Sequence, residues 1–264
     1  MRIRQRKPFK YGYNSIVEMD GAPTALMDFG VFKFSEGQTI NDTTSKERAF
    51  LLISGEVEFA WKGQKIIARR SSCFSAGPWC LHVPSSIPVN IMGIKGDSEI
   101  SVYKTNNERS FESRLFTPED CKVEILGIGT MNEMATRAVR TIFNKANREE
   151  SNLLLGETIN FPGKWSSYPP HHHPQPEVYF YKFNCENGFG YSGLGGKVYK
   201  VIGNDTLLVT SEVGHPQVAA PGFAMYYTWV IRHLDNQPFL KPTFFNEYLW
   251  LNDAQSKFWP DSRS

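Results

Sequence analysis

A pentapeptide of this chain recurs with one residue changed, first as Gly37-Gln38-Thr39-Ile40-Asn41 and again, about one small β domain further on, as Gly156-Glu157-Thr158-Ile159-Asn160. Each copy is followed by a loop, a glutamate (Glu47 or Glu177), an apolar run typical of a strand, and a turn that contains glycine. Such self-similarity indicates a duplicated structural unit. We therefore expect two similar β units, in which Gly37 matches Gly156 and Glu47 matches Glu177.

The composition excludes several other classes of protein. The 264 residues carry a formal net charge of +2, which is too small to imply a nucleic-acid or membrane-surface partner. With 41% hydrophobic and 21% charged residues, the chain is neither disordered nor a coiled coil. Aromatic residues make up 14%, and 21 Gly and 16 Pro supply many turns. The composition therefore favours an all-β fold built from short strands.

We divide the chain into three parts. Residues 1–115 are predicted to form an N-terminal β barrel, residues 116–150 a connector, and residues 151–264 a second barrel whose C-terminal extension spans 232–264. Alternating runs at 57–61 and 197–201 support strands in both barrels. Helix signals are few: residues 117–120 resemble a helix start with Pro118 at its first position, and residues 131–143 are a second candidate without a clean apolar stripe.

Cysteine usage and the N-terminus bear on the compartment. The 4 cysteines are scattered without a Cys-x-x-Cys pair, which argues against a zinc knuckle, a redox pair or a disulfide framework. The basic N-terminus is not followed by the apolar stretch of a signal peptide, and no apolar run is long enough to cross a bilayer. We therefore expect a cytoplasmic protein with free thiols and no membrane partner.

Three of the histidines form a run, His171-His172-His173, and Glu177 follows shortly after. On a strand, residues i and i+2 share a face, so His171 and His173 point inward together while His172 points away. Glu177 returns to the inward face if the chain turns at 174–176, and His215 is the best further ligand from a distant strand. His171, His173, Glu177 and His215 are a mixed nitrogen and oxygen set for one divalent ion of zinc, manganese, iron or nickel.

The competing interpretation is a solvated polyhistidine loop that binds no metal. The position of Glu177 and the presence of His215 favour the metal site over that alternative. His82 and His233 have no such partners, and we interpret both as hydrogen-bonded or surface histidines. The loop at 38–46 of the first unit contains no histidine, which predicts a metal-free first barrel.

The pattern His-x-His-x-x-x-Glu with a later histidine resembles the metal-binding motif of the cupin superfamily. The run at 162–173, Pro-Gly-Lys-Trp-Ser-Ser-Tyr-Pro-Pro-His-His-His, is similar to the signature of the 5-deoxy-glucuronate isomerase family of inositol degradation, as are Gly214-His215-Pro216 and Ala220-Pro221-Gly222-Phe223. That family is related to 5-keto-4-deoxyuronate isomerase, another two-cupin enzyme. The resemblance covers about residues 28–230 and implies a bicupin fold, two tandem jelly-roll barrels.

The resemblance also implies a reaction, the aldose–ketose isomerisation of 5-deoxy-D-glucuronate to 5-dehydro-2-deoxy-D-gluconate. A metal that binds the carbonyl and the neighbouring hydroxyl would stabilise the enediolate between them. A base must also move a proton from one carbon to the other. Our candidate is Glu157, which precedes the metal loop in a core strand, with Tyr179, Tyr181 and Lys200 as alternatives; a solvent-facing Glu157 is the competing interpretation.

The carboxylate of such a substrate needs a cationic partner. Arg137 or Arg140, in a segment that resembles the one preceding the second cupin of the family, could hold it through a bidentate fork, and a plain surface role is the alternative. Another metal-dependent cupin enzyme, such as the keto-uronate isomerase or a dioxygenase, and a non-enzymatic sugar-binding protein stay open. The expected partner is a small-molecule sugar acid, and a homo-oligomer stays open.

Overall fold

The computed structural model describes residues 1–253 and 255–260, so the last four residues of the predicted extension lie outside the described part. Its regular structure is almost entirely β strand, which confirms the all-β prediction. No helix in the described ranges is long and apolar enough to span a bilayer. The strands in chain order are β1 (Arg2–Ile3), β2 (Gly12–Val17), β3 (Asp28–Phe34), β4 (Thr39–Asp42), β5 (Glu47–Trp61), β6 (Gln64–Arg70), β7 (Trp79–Val83), β8 (Val89–Gly93), β9 (Ser98–Thr105), β10 (Arg114–Phe116), β11 (Glu124–Leu126), β12 (Arg137–Phe143), β13 (Leu153–Asn160), β14 (Trp165–Ser166), β15 (His171–His172), β16 (Glu177–Phe183), β17 (Phe189–Leu194), β18 (Lys197–Ile202), β19 (Thr206–Val209), β20 (Gln217–Ala219), β21 (Met225–Arg232) and β22 (Thr243–Phe244), with 3₁₀ helices at Met131–Glu133 and Asn246–Asn252.

The first barrel is built around β5. Its main sheet has the order β10-β7-β5-β9-β3-β2, and β5 also pairs with β6 and β8, the latter joined to β4. The strand β5 can pair with β7 and β9 along one part and with β6 and β8 along another because it is 15 residues long and its register shifts between Leu52 and Ser54. An irregularity of this kind bends a strand and increases its twist.

The second barrel has the same strand order and includes strands from outside residues 151–264. Its larger sheet has the order β1-β19-β16-β21-β13-β12-β11, and a smaller sheet has the order β14-β20-β17-β18. The central run β12, β13, β21, β16, β19 corresponds to β2, β3, β9, β5, β7 of the first barrel. This sheet takes β1 from the N-terminus, and it takes β11 and β12 from the segment predicted as the connector.

Alternation along the strands divides the apolar side chains among separate cores. In β5, Phe50 faces the interior of the first barrel, while Ala49 faces a core shared by both barrels. In β16, Tyr179 faces the interior of the second barrel, while Val178 joins the shared core. Because both faces of these strands are buried, their sequences read as continuous apolar runs.

The predicted match of Glu47 with Glu177 is wrong by one residue. Both glutamates begin equivalent strands, but Glu177 shares the inward face of β16 with Tyr179, whereas Glu47 lies on the same face of β5 as Ala49, toward the shared core. A slip of one residue reverses the face of a strand residue. The inward position at this end of β5 therefore belongs to Arg48.

The two glycines of the repeated pentapeptide are not equivalent either. Gly156 lies inside β13, where an added Cβ would come within 2.1 Å of the Trp229 ring. Gly37 lies in the turn before β4 with φ of +73°, and nothing stands within 4 Å of its Cβ position. Position 156 requires glycine because a side chain has no space there, and position 37 requires it for its backbone conformation. The repeated pentapeptide correctly predicted two similar units, but its two copies do not lie at equivalent positions in the two barrels.

Neither of the two predicted helical segments forms an α-helix. Residues 118–120 make a turn, and Met131–Glu133 is a single 3₁₀ turn. The remainder of the second candidate is β12, in which buried and half-buried residues alternate from Arg137 to Ile142. That alternation belongs to a strand and explains why no apolar helical stripe was present.

Candidate metal centre and active-site cavity

Three buried side chains converge inside the second barrel: His173, Glu177 and His215. Glu177 Oε2 lies 3.4 Å from His173 Nε2 and 3.4 Å from His215 Nε2. One potential ligand atom from each residue lies within 4.8 Å of the other two. Glu177 stands at the first position of β16, whose inward face brings it to the histidines from neighbouring loops.

The histidine rings are oriented by the backbone. His173 Nδ1–H donates to the carbonyl oxygen of Gln175 at 2.9 Å, and His215 Nδ1–H donates to that of Val213 at 2.9 Å. A hydrogen bond of this type fixes the tautomer and leaves Nε2 with a free lone pair, as in metal-binding histidines. Both Nε2 atoms are thereby available as ligands.

The cluster contains buried polar atoms without hydrogen-bond partners. Within residues 1–253 and 255–260, Glu177 Oε2 and His215 Nε2 are buried and accept no hydrogen bond. Burial opposes ionisation of Glu177, but the neighbouring His173 and His215 rings outweigh it and lower the pKa of the carboxyl group. Burial lowers the pKa of His215. A carboxylate and neutral imidazoles are the protonation states that bind a divalent cation, so these residues fit one.

His171 and His172 take different positions, as strand alternation predicts. The His171 ring lies 5.0 Å from the His215 ring and lines the cavity described below, although it is outside the tight three-residue group. Its Nδ1–H donates to the carbonyl oxygen of Pro169 at 3.2 Å, which leaves Nε2 free. His172 turns away, and its Nδ1 lies 3.0 Å from a carboxylate oxygen of Glu212.

A cavity of about 200 Å³ opens over this group. Two residues predicted from the sequence to act on substrate line it, Arg137 and Tyr179. The sequence analysis assigned no role to several other lining residues, although Thr158 and Ser167 stand in stretches that it quoted. They are Leu126, Val139, Thr158, Ser167, Tyr227, Trp229, Ile231 and Phe239.

Glu157 does not reach this cavity. It lies on the opposite face of β13, where Oε1 accepts hydrogen bonds from Arg70 and Arg140, both at 2.7 Å, and Oε2 accepts one from the Tyr226 hydroxyl at 2.8 Å. Arg140 is the cross-strand neighbour of Glu157 and shares that face. Both residues are therefore part of a buried ion-pair network between the barrels. This placement argues against Glu157 as the base and Arg140 as the substrate clamp.

Tyr181 and Lys200 are also occupied elsewhere. The Tyr181 hydroxyl donates to Gln217 Oε1 at 2.7 Å, inside the second barrel but away from the cavity lining. Lys200 is exposed on β18, and its ammonium lies 4.3 Å from the centre of the Phe189 ring. Among the four predicted proton-transfer residues, Tyr179 alone lines the cavity.

The C-terminal extension covers the histidines. β22 pairs with β15, which places Phe244 opposite His171. The Phe239 ring lies 4.9 Å from the His173 ring and closes one side of the cavity. Nothing in the local sequence of residues 232–264 marks this contact, because it depends on the chain returning across the barrel mouth.

The corresponding place in the first barrel holds an arginine. Arg48 Nη1 donates to Asp42 Oδ1 at 2.9 Å, and Nη2 donates to the carbonyl oxygens of Pro84 and Ile87 at 3.0 and 2.7 Å. The inward position that Glu177 occupies in the second barrel is therefore occupied by the Arg48 guanidinium in the first barrel, where a ligand for a cation would be needed to hold a metal. This arrangement supports the predicted metal-free first barrel.

The chain is similar to known proteins of the family that its sequence motifs resemble. A model of the KduI/IolB family matches residues 3–251. The chain is 26% identical over 247 residues to a 5-deoxy-glucuronate isomerase of Geobacillus thermodenitrificans, covering 85% of this chain and 86% of the relative. The crystal structure of an IolB-like protein from Salmonella typhimurium superposes with a TM-score of 0.84 at 21% identity, covering 93% of this chain and 97% of that one.

A more distant structural likeness extends to oxalate decarboxylase of Bacillus subtilis, a protein with Mn(II) centres. Its TM-score is 0.61 at 11% identity, with 92% of this chain and 78% of that chain covered. At such identities the likeness establishes the fold alone. It confirms the predicted bicupin architecture.

Proposed function

We propose, since the chain belongs to the KduI/IolB family and is an isomerase of that family, that it converts 5-deoxy-D-glucuronate to 5-dehydro-2-deoxy-D-gluconate with the help of one divalent metal ion. The observation that carries the metal dependence is the buried group of His173, Glu177 and His215, in which Glu177 Oε2 and His215 Nε2 have no hydrogen-bond partner in the described ranges. The names of the curated relatives support the substrate.

We assign His171, His173, Glu177 and His215 as the ligands. The free Nε2 of His171 and its place on the cavity wall support its role as the fourth member of the set. A divalent cation held there supplies Lewis acidity toward the sugar carbonyl and the adjacent hydroxyl. A set of three imidazoles and one carboxylate suits zinc, manganese, iron or nickel.

Arg137 is our candidate for binding the substrate carboxylate. It lines the cavity from β12, and its Nη1 donates to the carbonyl oxygen of Ala135 at 2.8 Å. That bond fixes the side chain and leaves other guanidinium N–H groups for a carboxylate. A guanidinium presents paired donors that match the two oxygens of such a group.

Tyr179 replaces Glu157 as our choice for moving the proton. Its hydroxyl lies 3.3 Å from Ser167 Oγ at the cavity wall. Burial raises the pKa of Tyr179 well above its ordinary value, so the hydroxyl is protonated at neutral pH. A protonated hydroxyl accepts the proton from the carbon that bears the 2-hydroxyl only as it gives its own proton to the former aldehyde carbon, so we assign Tyr179 a relay role. Tyr227, whose hydroxyl lies 2.6 Å from Ser166 Oγ, is the neighbouring protonated group.

The test is turnover of 5-deoxy-D-glucuronate by purified protein in deuterium oxide, without oxygen, with metal analysis of the same sample. We expect ketose product that carries deuterium at the former aldehyde carbon, and activity that disappears with a chelator. An absence of turnover that is reversed when oxygen is supplied would contradict an isomerase in favour of a dioxygenase. Full retention of the substrate hydrogen would contradict a proton relay.

A further inference from the structure

A second cavity lies where the two barrels and the C-terminal extension meet. Its volume is about 620 Å³, and its lining shares no residue with that of the metal cavity. Its walls come from the loop after β9, the segment between β12 and β13, and the chain that follows β21. Three cationic side chains line it: Arg109, Lys145 and Arg232.

Lys145 is held in place by neutral acceptors. Its ammonium donates to the carbonyl oxygens of Glu149 and Ser151, both at 2.7 Å. Burial, and then the positive charge of Arg109, lowers the pKa of Lys145. Arg232 adds to this effect, and the carboxylates of Glu47 and Glu149 oppose it. The three cations are therefore close enough to repel one another.

Arg109 is likewise fixed by uncharged groups. Its Nε donates to Asn107 Oδ1 at 3.3 Å, and its Nη2 donates to Asn152 Oδ1. Within the described ranges, neither Arg109 nor Lys145 forms an ion pair with a carboxylate. Side chains that are oriented but keep an uncompensated charge are suited to binding an anion.

Two carboxylates also line the cavity, those of Glu108 and Asp235. Both residues are exposed. Asp235 Oδ1 lies 3.6 Å from Arg232 Nη1, with 85% of its side chain exposed. An ion pair so open to water contributes little. The buried carboxylate of Glu47 lies behind the cavity, where Asn107 Nδ2 and the Asn152 backbone N–H donate to its Oε2, and this single charge offsets only part of that of the three cations.

His233 adds a buried hydrogen-bond donor without an acceptor. The residue is 2% exposed, and its Nδ1 accepts a hydrogen bond from the Phe239 backbone N–H at 3.0 Å. The neutral ring therefore carries its proton on Nε2, which is buried and without a partner among residues 1–253 and 255–260. An unpaired donor of this kind is costly and favours binding of an acceptor.

We propose that this cavity is a second ligand site, which binds a small oxyanion that carries a phosphate or carboxylate group. Guanidinium forks and an ammonium are the groups that proteins use for such oxygens, and the volume lies in the range of metabolite sites. The proposal is independent of the reaction assigned to the metal cavity. The second cavity lies beside the metal cavity, because Phe239, whose backbone N–H donates to His233, also lines the metal cavity.

The experiment is calorimetric titration of the full-length protein, at constant ionic strength, with inorganic phosphate and separately with gluconate. The variants are Lys145→Gln, Arg109→Gln and the charge-conserving Lys145→Arg, with Lys65→Gln as a control that removes an exposed lysine from the first barrel. We expect saturable binding of one anion per chain, weakened at least tenfold in Lys145→Gln and in Arg109→Gln. Lys145→Arg and Lys65→Gln should bind as the unmodified protein does.

Binding of phosphate would identify the ligand class as phosphate esters, and binding of gluconate would identify it as sugar-acid carboxylates. No saturable binding of either probe up to about 10 mM would overturn the proposal. So would binding that Lys65→Gln weakens equally, since that result indicates general charge screening. Binding that persists in Lys145→Gln and Arg109→Gln but disappears with a metal chelator would place the anion at the metal centre instead. Thermal unfolding of each variant checks that it is folded.

Discussion

Tyr179 and Tyr181 lie two residues apart on β16 and both point into the second barrel, but their hydroxyl groups have different surroundings. That of Tyr179 reaches the cavity wall beside Ser167, whereas that of Tyr181 is bonded to Gln217. The residues therefore form a matched pair, equal in chemistry and face and different in access to substrate. At this scale, the depth of a side chain decides whether it can take part in the reaction.

We expect Tyr179→Phe to lower kcat by about 10²–10⁴, the usual contribution of a proton-transfer group, with the metal content unchanged. Tyr181→Phe removes a buried hydrogen bond and should cost about 1 kcal/mol of stability while kcat stays within a few-fold. Steady-state kinetics and metal analysis of both variants test the difference. Equal losses of kcat in the two variants would contradict the relay role of Tyr179.

Glu157 illustrates the opposite case, a carboxylate with a structural position. Glu157→Gln leaves Arg70 and Arg140 buried with a weakened partner, so we expect the free energy of unfolding to fall by about 3–5 kcal/mol. Glu56→Gln is the control, because its pair with Arg69 is largely exposed and should contribute less than about 1 kcal/mol. Denaturant unfolding measures both. A stable Glu157→Gln protein that has lost turnover would return Glu157 to the reaction.

At the scale of one element, β13 shows how packing constrains a strand. All eight of its residues are buried, with the metal cavity on one side and the shared core on the other. Gly156 leaves room for the Trp229 ring, itself part of the cavity wall, to lie close against the backbone. A side chain at this position would push the ring aside.

Gly156→Ala should therefore destabilise the protein by about 1–3 kcal/mol, the usual cost of overpacking, and should raise KM because Trp229 moves. Gly203→Ala is the matched control, since nothing stands within 4 Å of its Cβ position and its φ is not positive. Thermal unfolding and steady-state kinetics distinguish the two. An unchanged melting temperature in Gly156→Ala would show that the ring has room to move.

At the scale of the whole molecule, the two barrels divide the work. The first barrel closes its interior with Arg48 and Asp42, whereas in the second Glu177 Oε2 and His215 Nε2 have no partner among the residues that the structure describes. A large core shared by both barrels joins them. Loss of the metal group should therefore affect the reaction, and loss of the arginine pair should affect stability.

His173→Ala should abolish turnover and metal binding while the circular dichroism spectrum stays that of a folded β protein. Asp42→Asn should instead lower the free energy of unfolding by about 3–5 kcal/mol, because it leaves the Arg48 guanidinium buried without its carboxylate, while the folded fraction turns over normally. Metal analysis, spectroscopy and kinetics at low temperature measure these effects. Loss of turnover in folded Asp42→Asn protein would give the first barrel a part in the reaction.

Local patterns were enough to predict the strands, the duplicated barrels, the family, and the grouping of His173, Glu177 and His215. The strands and the pairing of His173 with Glu177 were inferred from alternation, turn residues and ligand spacing, which are properties of neighbours along the chain. The family was inferred from the resemblance of the motifs at 162–173, 214–216 and 220–223. The structure adds that Tyr179, two residues after Glu177, shares the inward face of β16 with it.

Only the tertiary structure decided the face of Glu157, the one-residue offset at Glu47, and the return of Phe239 over the histidines. Every residue of β13 is buried, so hydrophobicity does not distinguish its two sides, and alternation alone leaves the choice of face undetermined. The carboxylate of Glu157 is stabilised by Arg70 from the other barrel, a partner distant in the chain. Phe239 meets His173 because β22 pairs with β15, which is also a contact between distant segments.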